Sequence, residues 1–130
     1  MKHKCDNIVI HCMDFRLIAE TNDFLKTNYG VHNYDLISVA GSSKVIAEGN
    51  GDYLLKQIGI SHNLHESKKV ILIHHSDCGA YQIKDTEEEK IKQFEDMEKS
   101  KKIILDLFPS MEVDSVWVEI LQDSIIFNRI

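Results

Sequence analysis

The sequence has no long apolar run, no excess of basic side chains and no cysteine framework, and each absence excludes a class of protein. No stretch approaches the roughly 18 to 20 apolar residues that a membrane-spanning helix needs. The first residues, Met1 to Asp6, carry no apolar signal core. We therefore expect a cytoplasmic protein with no membrane partner.

The charge balance and the cysteine count narrow the class further. Among 130 residues, 15 Lys and Arg stand against 21 Asp and Glu, a net charge of −6. Because affinity for nucleic acid depends largely on basic side chains, we expect no nucleic-acid partner. Three cysteines make an odd number without disulfide spacing, and in a reducing compartment grouped Cys and His more often indicate metal binding or catalysis. The length fits one domain, residues 1–130, without linker, repeat or low-complexity segment.

Four segments have the pattern of β-strands. Ile8–Ile10 and Val70–Ile73 are unbroken apolar runs, typical of central parallel strands with helices on both faces. Tyr34–Val39 and Val113–Ile120 are rich in strand-forming residues, and the alternation in the last one suits a sheet edge.

Three helices are predicted between these strands. The first runs from about Leu17 to Tyr29 and ends at Gly30, the second covers about Tyr53 to His65, and the third ends before Pro109. The alternation of strand and helix predicts an α/β fold of three layers. Its mostly parallel central sheet, in the order 2-1-3-4, has helices on both faces.

The third helix has the clearest local signals. Thr86 and Glu89 have the spacing of a capping box at its start. The sequence predicts three favourable ion pairs on this helix and an apolar face. The pairs are Glu88/Lys92, Glu95/Lys99 and Glu98/Lys102, and the face consists of Ile91, Phe94, Met97 and Ile104.

Metal-ligating residues follow the first and third strands directly. Cys12 opens the segment Cys12-Met13-Asp14-Phe15-Arg16, and His75 and Cys78 lie in His74-His75-Ser76-Asp77-Cys78-Gly79-Ala80. If these strands are neighbours, two thiolates and an imidazole converge, a donor set that suits zinc and leaves a fourth position open. Asp14 either takes that position or, paired with Arg16, orients an activated water there.

The two motifs, Cys-x-Asp-x-Arg and His-x-x-Cys-Gly, resemble the signature motifs of β-class carbonic anhydrases. The resemblance implies that Cys12, His75 and Cys78 bind Zn²⁺ and that Asp14 and Arg16 form the catalytic dyad beside it. Ala40-Gly41 resembles the Ala-Gly turn of the family, and Gly41 and Gly79 are expected to contact substrate. The segment Gly41 to Lys44 fits an anion-binding turn and a plain strand-to-helix connection equally well.

The implied function is zinc-dependent, reversible hydration of carbon dioxide to bicarbonate. Two departures from the family keep alternatives open: Phe15 replaces a usual small Ser, and Ser38-Val39 replaces an Arg-Asn pair. A more apolar pocket suits hydrolysis of carbonyl sulfide or carbon disulfide on the same zinc. A noncatalytic zinc module, with Asp14 closing the metal site, is the third reading.

Several neighbouring residues receive simpler interpretations. Alternation along the strand turns His74 away from His75 toward a helix layer, and His11 is expected to be a hydrogen-bonded core histidine. Cys5 is expected to pack or lie exposed near the N-terminus. The apolar C-terminal residues, Ile125-Ile126-Phe127 and Ile130, are expected to pack, including across a subunit boundary. A homodimer or higher homo-oligomer is the predicted assembly.

Overall fold

The apolar runs of the sequence form the centre of a five-stranded sheet in the computed structural model, which describes residues 2–130. The strands are β1 (Asn7–Cys12), β2 (Tyr34–Val39), β3 (Lys69–His75), β4 (Glu112–Ile120) and β5 (Ile125–Arg129). Their order in the sheet is β2-β1-β3-β4-β5. The first three pairings are parallel and the last is antiparallel, so the predicted order 2-1-3-4 is confirmed.

Four helices pack on the two faces of this sheet, as the predicted three-layer fold requires. They are α1 (Ile18–Tyr29), α2 (Lys44–Ala47), α3 (Asp52–Leu64) and α4 (Thr86–Leu107). A short 3₁₀ turn, Phe15–Leu17, links β1 to α1. Gly30 ends α1 with a φ of 102°, a conformation that suits glycine.

Alternate side chains of each central strand enter two separate cores, because successive residues of a strand point to opposite faces. Ile8 and Leu72 pack with residues of α2, α3 and α4, including Ile58, on one face. Val9 and Ile71 pack with α1 on the other. The fully apolar pattern of β1 and β3 is therefore explained by burial on both faces.

The C-terminal segment corrects one expectation and confirms part of another. β4 is not an edge strand, because β5 pairs along it through register partners such as Val118 and Phe127. The chain reverses at Leu121, whose N–H donates to the carbonyl of Ser124 at 2.8 Å. Phe127 stacks on Phe24 of α1 with ring centroids 4.6 Å apart, so this part of the C-terminus packs within its own chain.

Helix α4 differs from expectation in its cap, its ion pairs and one side of its apolar face. Asp85, not Thr86, is the N-cap, and its carboxylate accepts the N–H groups of Glu87 and Glu88. Lys92 pairs with Asp96 and Lys102 with Asp106, in place of the predicted pairs. Ile91 is exposed, whereas Met97 and Ile104 are buried. The buried side of α4 therefore also carries polar residues, which are Glu89, Gln93, Asp96 and Ser100.

No helix among residues 2–130 combines the length and the apolar character that crossing a membrane requires.

Candidate metal centre

Three donor side chains meet where β1 and β3 end. Cys12 is the last residue of β1, His75 is the last of β3, and Cys78 follows in the connection to α4. The donor atoms of these residues all lie within 4.8 Å of one another, and the two sulfur atoms are 3.9 Å apart. The strands pair directly, so their carboxyl ends meet at one edge of the sheet. The structure thus brings together the three residues that the two motifs indicated.

His75 presents one free ring nitrogen to this cluster. Its Nδ1 donates to the carbonyl of Ser76 at 2.7 Å, which leaves Nε2 with its lone pair available. That Nε2 is buried and has no hydrogen-bond partner among the described residues. A buried polar atom is normally satisfied, so an unpartnered nitrogen beside two sulfur atoms fits a metal ligand.

The contact between the two sulfur atoms shifts the pKa values of Cys12 and Cys78 in opposite directions. The hydrogen bond from Cys78 lowers the pKa of Cys12 more than burial raises it, and His75 lowers it further. The same hydrogen bond and burial raise the pKa of Cys78. The lowered pKa of Cys12 favours its thiolate, the form that binds metal. A Cys₂His donor set is one that zinc uses, and the residues present fit this ion.

Asp14 lies beside the cluster and is held by Arg16. Its Oδ2 is 3.9 Å from Nε2 of His75. Nη2 of Arg16 donates to Oδ2 at 2.7 Å and Nε donates to Oδ1 at 3.0 Å, a two-point ion pair. The hydrogen bond from Arg16 lowers the pKa of Asp14 to about 2, so this carboxylate is ionised at neutral pH. The predicted Asp14–Arg16 pair is present in the structure.

Arg16 also joins the two motifs to each other. Its Nη1 donates to Oδ2 of Asp77 at 2.9 Å, and its Nη2 donates to the carbonyl oxygen of Asp77 at 3.0 Å. Asp77 belongs to the connection that carries Cys78, and its φ of 54° lies in the left-handed region. The guanidinium group therefore fixes the β1 connection against the β3 connection.

Glu89 holds the Cys78 connection from the helix side. Its two carboxylate oxygens accept the N–H of Asp77 at 2.9 Å and the N–H of Cys78 at 2.8 Å. The side chain is buried, and Gln93 donates to it at 3.0 Å. Glu89 is thus a support for the candidate ligand Cys78 and not part of a helix cap.

Gln93 and His74 extend this support to the strand. Nε2 of Gln93 donates to the carbonyl of His75 at 2.8 Å. His74 points to the helix layer, as expected, where its Nδ1 donates to Oε1 of Gln93 and its Nε2 accepts from Ser43. Burial lowers the pKa of His74 to about 4, so this histidine is neutral near pH 7. Ser100 completes the chain of contacts by donating to the carbonyl of Ser43 at 3.0 Å.

Three other residues singled out in the sequence, His11, Gly41 and Gly79, lie around the cluster or in the core. His11 is buried, but neither ring nitrogen has a hydrogen-bond partner among the described residues. The prediction that His11 is a hydrogen-bonded core histidine is therefore wrong. Gly41 follows β2 with a φ of +77°, and a Cβ there would lie 3.0 Å from that of Ala80. Its N–H group faces the sulfur of Cys12 and helps to lower the pKa of that thiol. Gly79 is exposed directly after Cys78.

The segment Gly41 to Lys44 forms a strand-to-helix connection. Ser42 donates to the carbonyl of Ile10 at 3.0 Å, and Ser43 contacts His74, so both hydroxyl groups point into the protein. α2 begins at Lys44. These contacts position β2 and α2 against the candidate centre.

Sequence reasoning missed the stripe of Glu89, Gln93, Asp96 and Ser100. All four are buried polar residues on one side of α4. A signal was present, because their separations of four, three and four residues place polar groups on the same side as Met97 and Ile104. Tyr81 was missed too; its ring packs against Cys12 and Cys78, and its hydroxyl donates to Asp96 at 2.8 Å.

Comparison with solved structures places the fold among the β-class carbonic anhydrases. A β-carbonic anhydrase isoform I from Trichomonas vaginalis superposes with a TM-score of 0.68 and 13% identity, covering 98% of this chain and 85% of that one. A carbonic anhydrase from Glaciozyma antarctica gives a TM-score of 0.62 and 18% identity, over 93% and 80% of the two chains. At these identities the likeness concerns the fold.

The family is shown by the sequence comparisons. A family model described as "Putative carbonic anhydrase" matches residues 2–125, and the chain belongs to this family. An uncharacterized protein of Rickettsia bellii is 30% identical over 122 residues, covering 85% of this chain and 74% of the relative. An uncharacterized protein of Rickettsia conorii is also 30% identical over 122 residues, covering 85% of this chain and 66% of that relative.

Proposed function

We propose that this protein is a zinc-dependent carbonic anhydrase that interconverts carbon dioxide and bicarbonate. The observation that carries the proposal is the convergence of Cys12, His75 and Cys78 beside the Asp14–Arg16 pair, at the end of two neighbouring strands. These three residues would hold zinc, which would act there as a Lewis acid and lower the pKa of a water molecule. Family membership supports the same reaction class.

The chain's own residues have separate tasks in this proposal. Asp14, ionised at neutral pH, is an acceptor next to the metal position and can hold and orient a proton of a reacting water. Arg16 occupies both oxygens of Asp14 and so keeps this carboxylate directed. Gly41 and Gly79, which flank the ligands Cys12 and Cys78, are the backbone positions that we assign to substrate contact.

The Asp14–Arg16 pair also argues against a permanently closed site. For Asp14 to ligate the metal, it would have to give up hydrogen bonds from Arg16 that are 2.7 to 3.2 Å long. These charge-assisted bonds favour a carboxylate that stays with its guanidinium. We therefore rank the noncatalytic zinc module below the enzyme.

Stopped-flow hydration assays on zinc-loaded protein test the proposal. We expect activity above buffer, and we expect Asp14→Asn to lose about 10²-fold or more while keeping its zinc, because the proton acceptor is removed and the three ligands remain. Asp23→Asn, an exposed carboxylate on α1, is the matched control and should change nothing. Zinc-loaded protein no faster than buffer would refute carbon dioxide hydration.

Hydrolysis of carbonyl sulfide or carbon disulfide is the second candidate. Met13 and Phe15, on either side of Asp14, are exposed apolar side chains, with Phe15 85% accessible. An apolar rim favours a linear, weakly hydrated substrate. Sulfide release by the zinc-loaded protein, combined with no carbon dioxide hydration, would select this reaction. Zinc binding without either activity would select the noncatalytic module.

Assembly and location complete the proposal. Met13, Phe15 and Ile18 are exposed together next to the candidate centre, which favours a second copy of the chain covering them in a homodimer. Sedimentation at the mass of a single 15.0 kDa chain would contradict this assembly. Three free cysteines fit a reducing compartment, and we place the protein in the cytoplasm.

A further inference from the structure

A second cluster of metal-type donors lies at the opposite end of the sheet. The donor atoms of Cys5, Asp35 and His65 are all within 4.8 Å of one another. The imidazole of His3 joins them, since its Nε2 is 3.1 Å from Nε2 of His65. These four residues are among those that line a surface cleft of about 190 Å³. Neither carbonic anhydrase motif includes any of them.

Backbone contacts hold these donors in place. The N–H of Cys5 donates to the carbonyl of His65 at 3.0 Å, which joins the segment before β1 to the end of α3. The carbonyl of Asp6 accepts the N–H of Lys68 at 2.8 Å. Lys4 pairs with Glu66 at 2.6 Å, so its charge is compensated. The segment that carries His3 and Cys5 is therefore fixed next to His65.

Asp35 orients His65 for this role. Oδ2 of Asp35 lies 2.7 Å from Nδ1 of His65 and also accepts the hydroxyl of Ser61 at 2.7 Å. A carboxylate that accepts from one ring nitrogen fixes the tautomer and orientation of the imidazole, so that the other nitrogen can act as a metal ligand. The available nitrogen, Nε2, is the atom that faces His3. Ligands around a tetrahedral zinc at 2.0 to 2.3 Å are about 3 to 4 Å apart. The two Nε2 atoms of His3 and His65 have this spacing, at 3.1 Å, and the sulfur of Cys5 lies within 4.8 Å of a ring nitrogen of His65.

We propose that His3, Cys5 and His65 form a second divalent-metal site, with Asp35 supporting His65. One thiolate and two imidazoles are a borderline donor set, which favours zinc over calcium or magnesium. The ion would link the N-terminal segment to the connection between α3 and β3. The proposal does not depend on the proposed enzymatic function, because the two clusters lie at opposite ends of the sheet.

Equilibrium dialysis of the full chain against buffered Zn²⁺, with metal counted by mass spectrometry, tests the site. We expect two zinc ions per wild-type chain and one in Cys5→Ser or His65→Ala. His32→Asn changes a histidine that lines the same cleft outside the cluster, and it should keep both ions. A wild-type chain that binds one zinc, with Cys5→Ser equal to wild type, would overturn the second site.

The double variant Cys12→Ser/Cys78→Ser separates the two sites. Cys5 is then the only cysteine left in the chain. With Co²⁺ as the probe, we expect a thiolate-to-cobalt absorption band that disappears when Cys5→Ser is added. Cobalt binding without this band would show that only surface histidines hold the ion and would refute the site. If the double variant does not fold, alkylation of Cys5 in wild-type protein decides, because bound zinc should slow it and a chelator should restore it.

Discussion

The two ends of the central sheet both gather cysteine, histidine and aspartate, but they hold these residues differently. At the carboxyl end, Cys12, His75 and Cys78 are buried, and the α4 stripe supports them from behind. At the amino end, Cys5 and His65 are half-buried and are held by backbone contacts near the surface. Similar donor types are thus presented in two environments.

The difference in burial between the two ends determines how much support the candidate metal ligands need. Burial alone would disfavour a polar cluster, so the carboxyl end needs Glu89 and Gln93 to satisfy the surrounding backbone. The amino end can exchange its hydrogen bonds with water and needs no such stripe. We expect the carboxyl end to bind metal more tightly, since its ligands lose less freedom on binding.

The largest effect should come from removing a sulfur at each end in turn. Cys78→Ser should abolish zinc binding at the carboxyl end and reduce carbon dioxide hydration to the uncatalysed rate, because a hydroxyl is a poor zinc ligand. Cys5→Ser makes the same chemical change at the amino end and should leave hydration intact. Metal counting and stopped-flow assays of both variants provide the measurement. Equal losses of activity in the two would break the distinction between the ends.

A smaller effect is expected from weakening the buried support. Glu89→Gln keeps the shape of the side chain but offers only one oxygen to the N–H groups of Asp77 and Cys78. Loss of such a supporting contact typically weakens metal binding by about 10- to 100-fold. Competition with a zinc chelator measures this change. Glu88→Gln, on the exposed side of the same helix turn, should bind zinc like the wild type.

The smallest effect concerns an ion network at the amino end. The carboxylate of Asp114 accepts hydrogen bonds from Tyr29 and Arg129 and lies 3.3 Å from Lys69. Burial raises its pKa, but these partners lower it by more, so the folded-state pKa lies below the unfolded value. The stabilisation is therefore present above the unfolded pKa of about 3.9 and is lost as the pH falls through the folded value.

Asp114→Asn should remove this acid-dependent part of the stability. We expect a loss of about 1 kcal/mol or less at neutral pH, because the carboxylate is partly exposed and screened. Urea unfolding at neutral pH and below about pH 3.9 measures the free energy of unfolding. The free energies of unfolding of variant and wild type should differ less in acid than at neutral pH. A difference that stays constant with pH would show that the substitution acts through packing alone.

Local patterns were sufficient for much of the fold. The apolar runs of β1 and β3 predicted central strands, and Gly30 correctly marked the end of α1. The parallel order followed from the alternation of strands and helices, since crossovers have a preferred hand. The pairing of β5 with β4 was not predictable in this way, because a short apolar segment carries no signal for its partner.

For the candidate metal centre too, the sequence predicted some features and tertiary structure decided the others. The sequence predicted four site residues that follow two strands: Cys12, Asp14, His75 and Cys78. It could do so because side-chain chemistry and strand ends are local properties of the sequence. Tertiary structure decided that Cys12 and Cys78, 66 residues apart, lie within 3.9 Å, and that Glu89 faces the loop and not its own helix start. It also brought His3 next to His65. These contacts join residues distant along the chain, so they depend on the packing of whole elements and not on any local pattern.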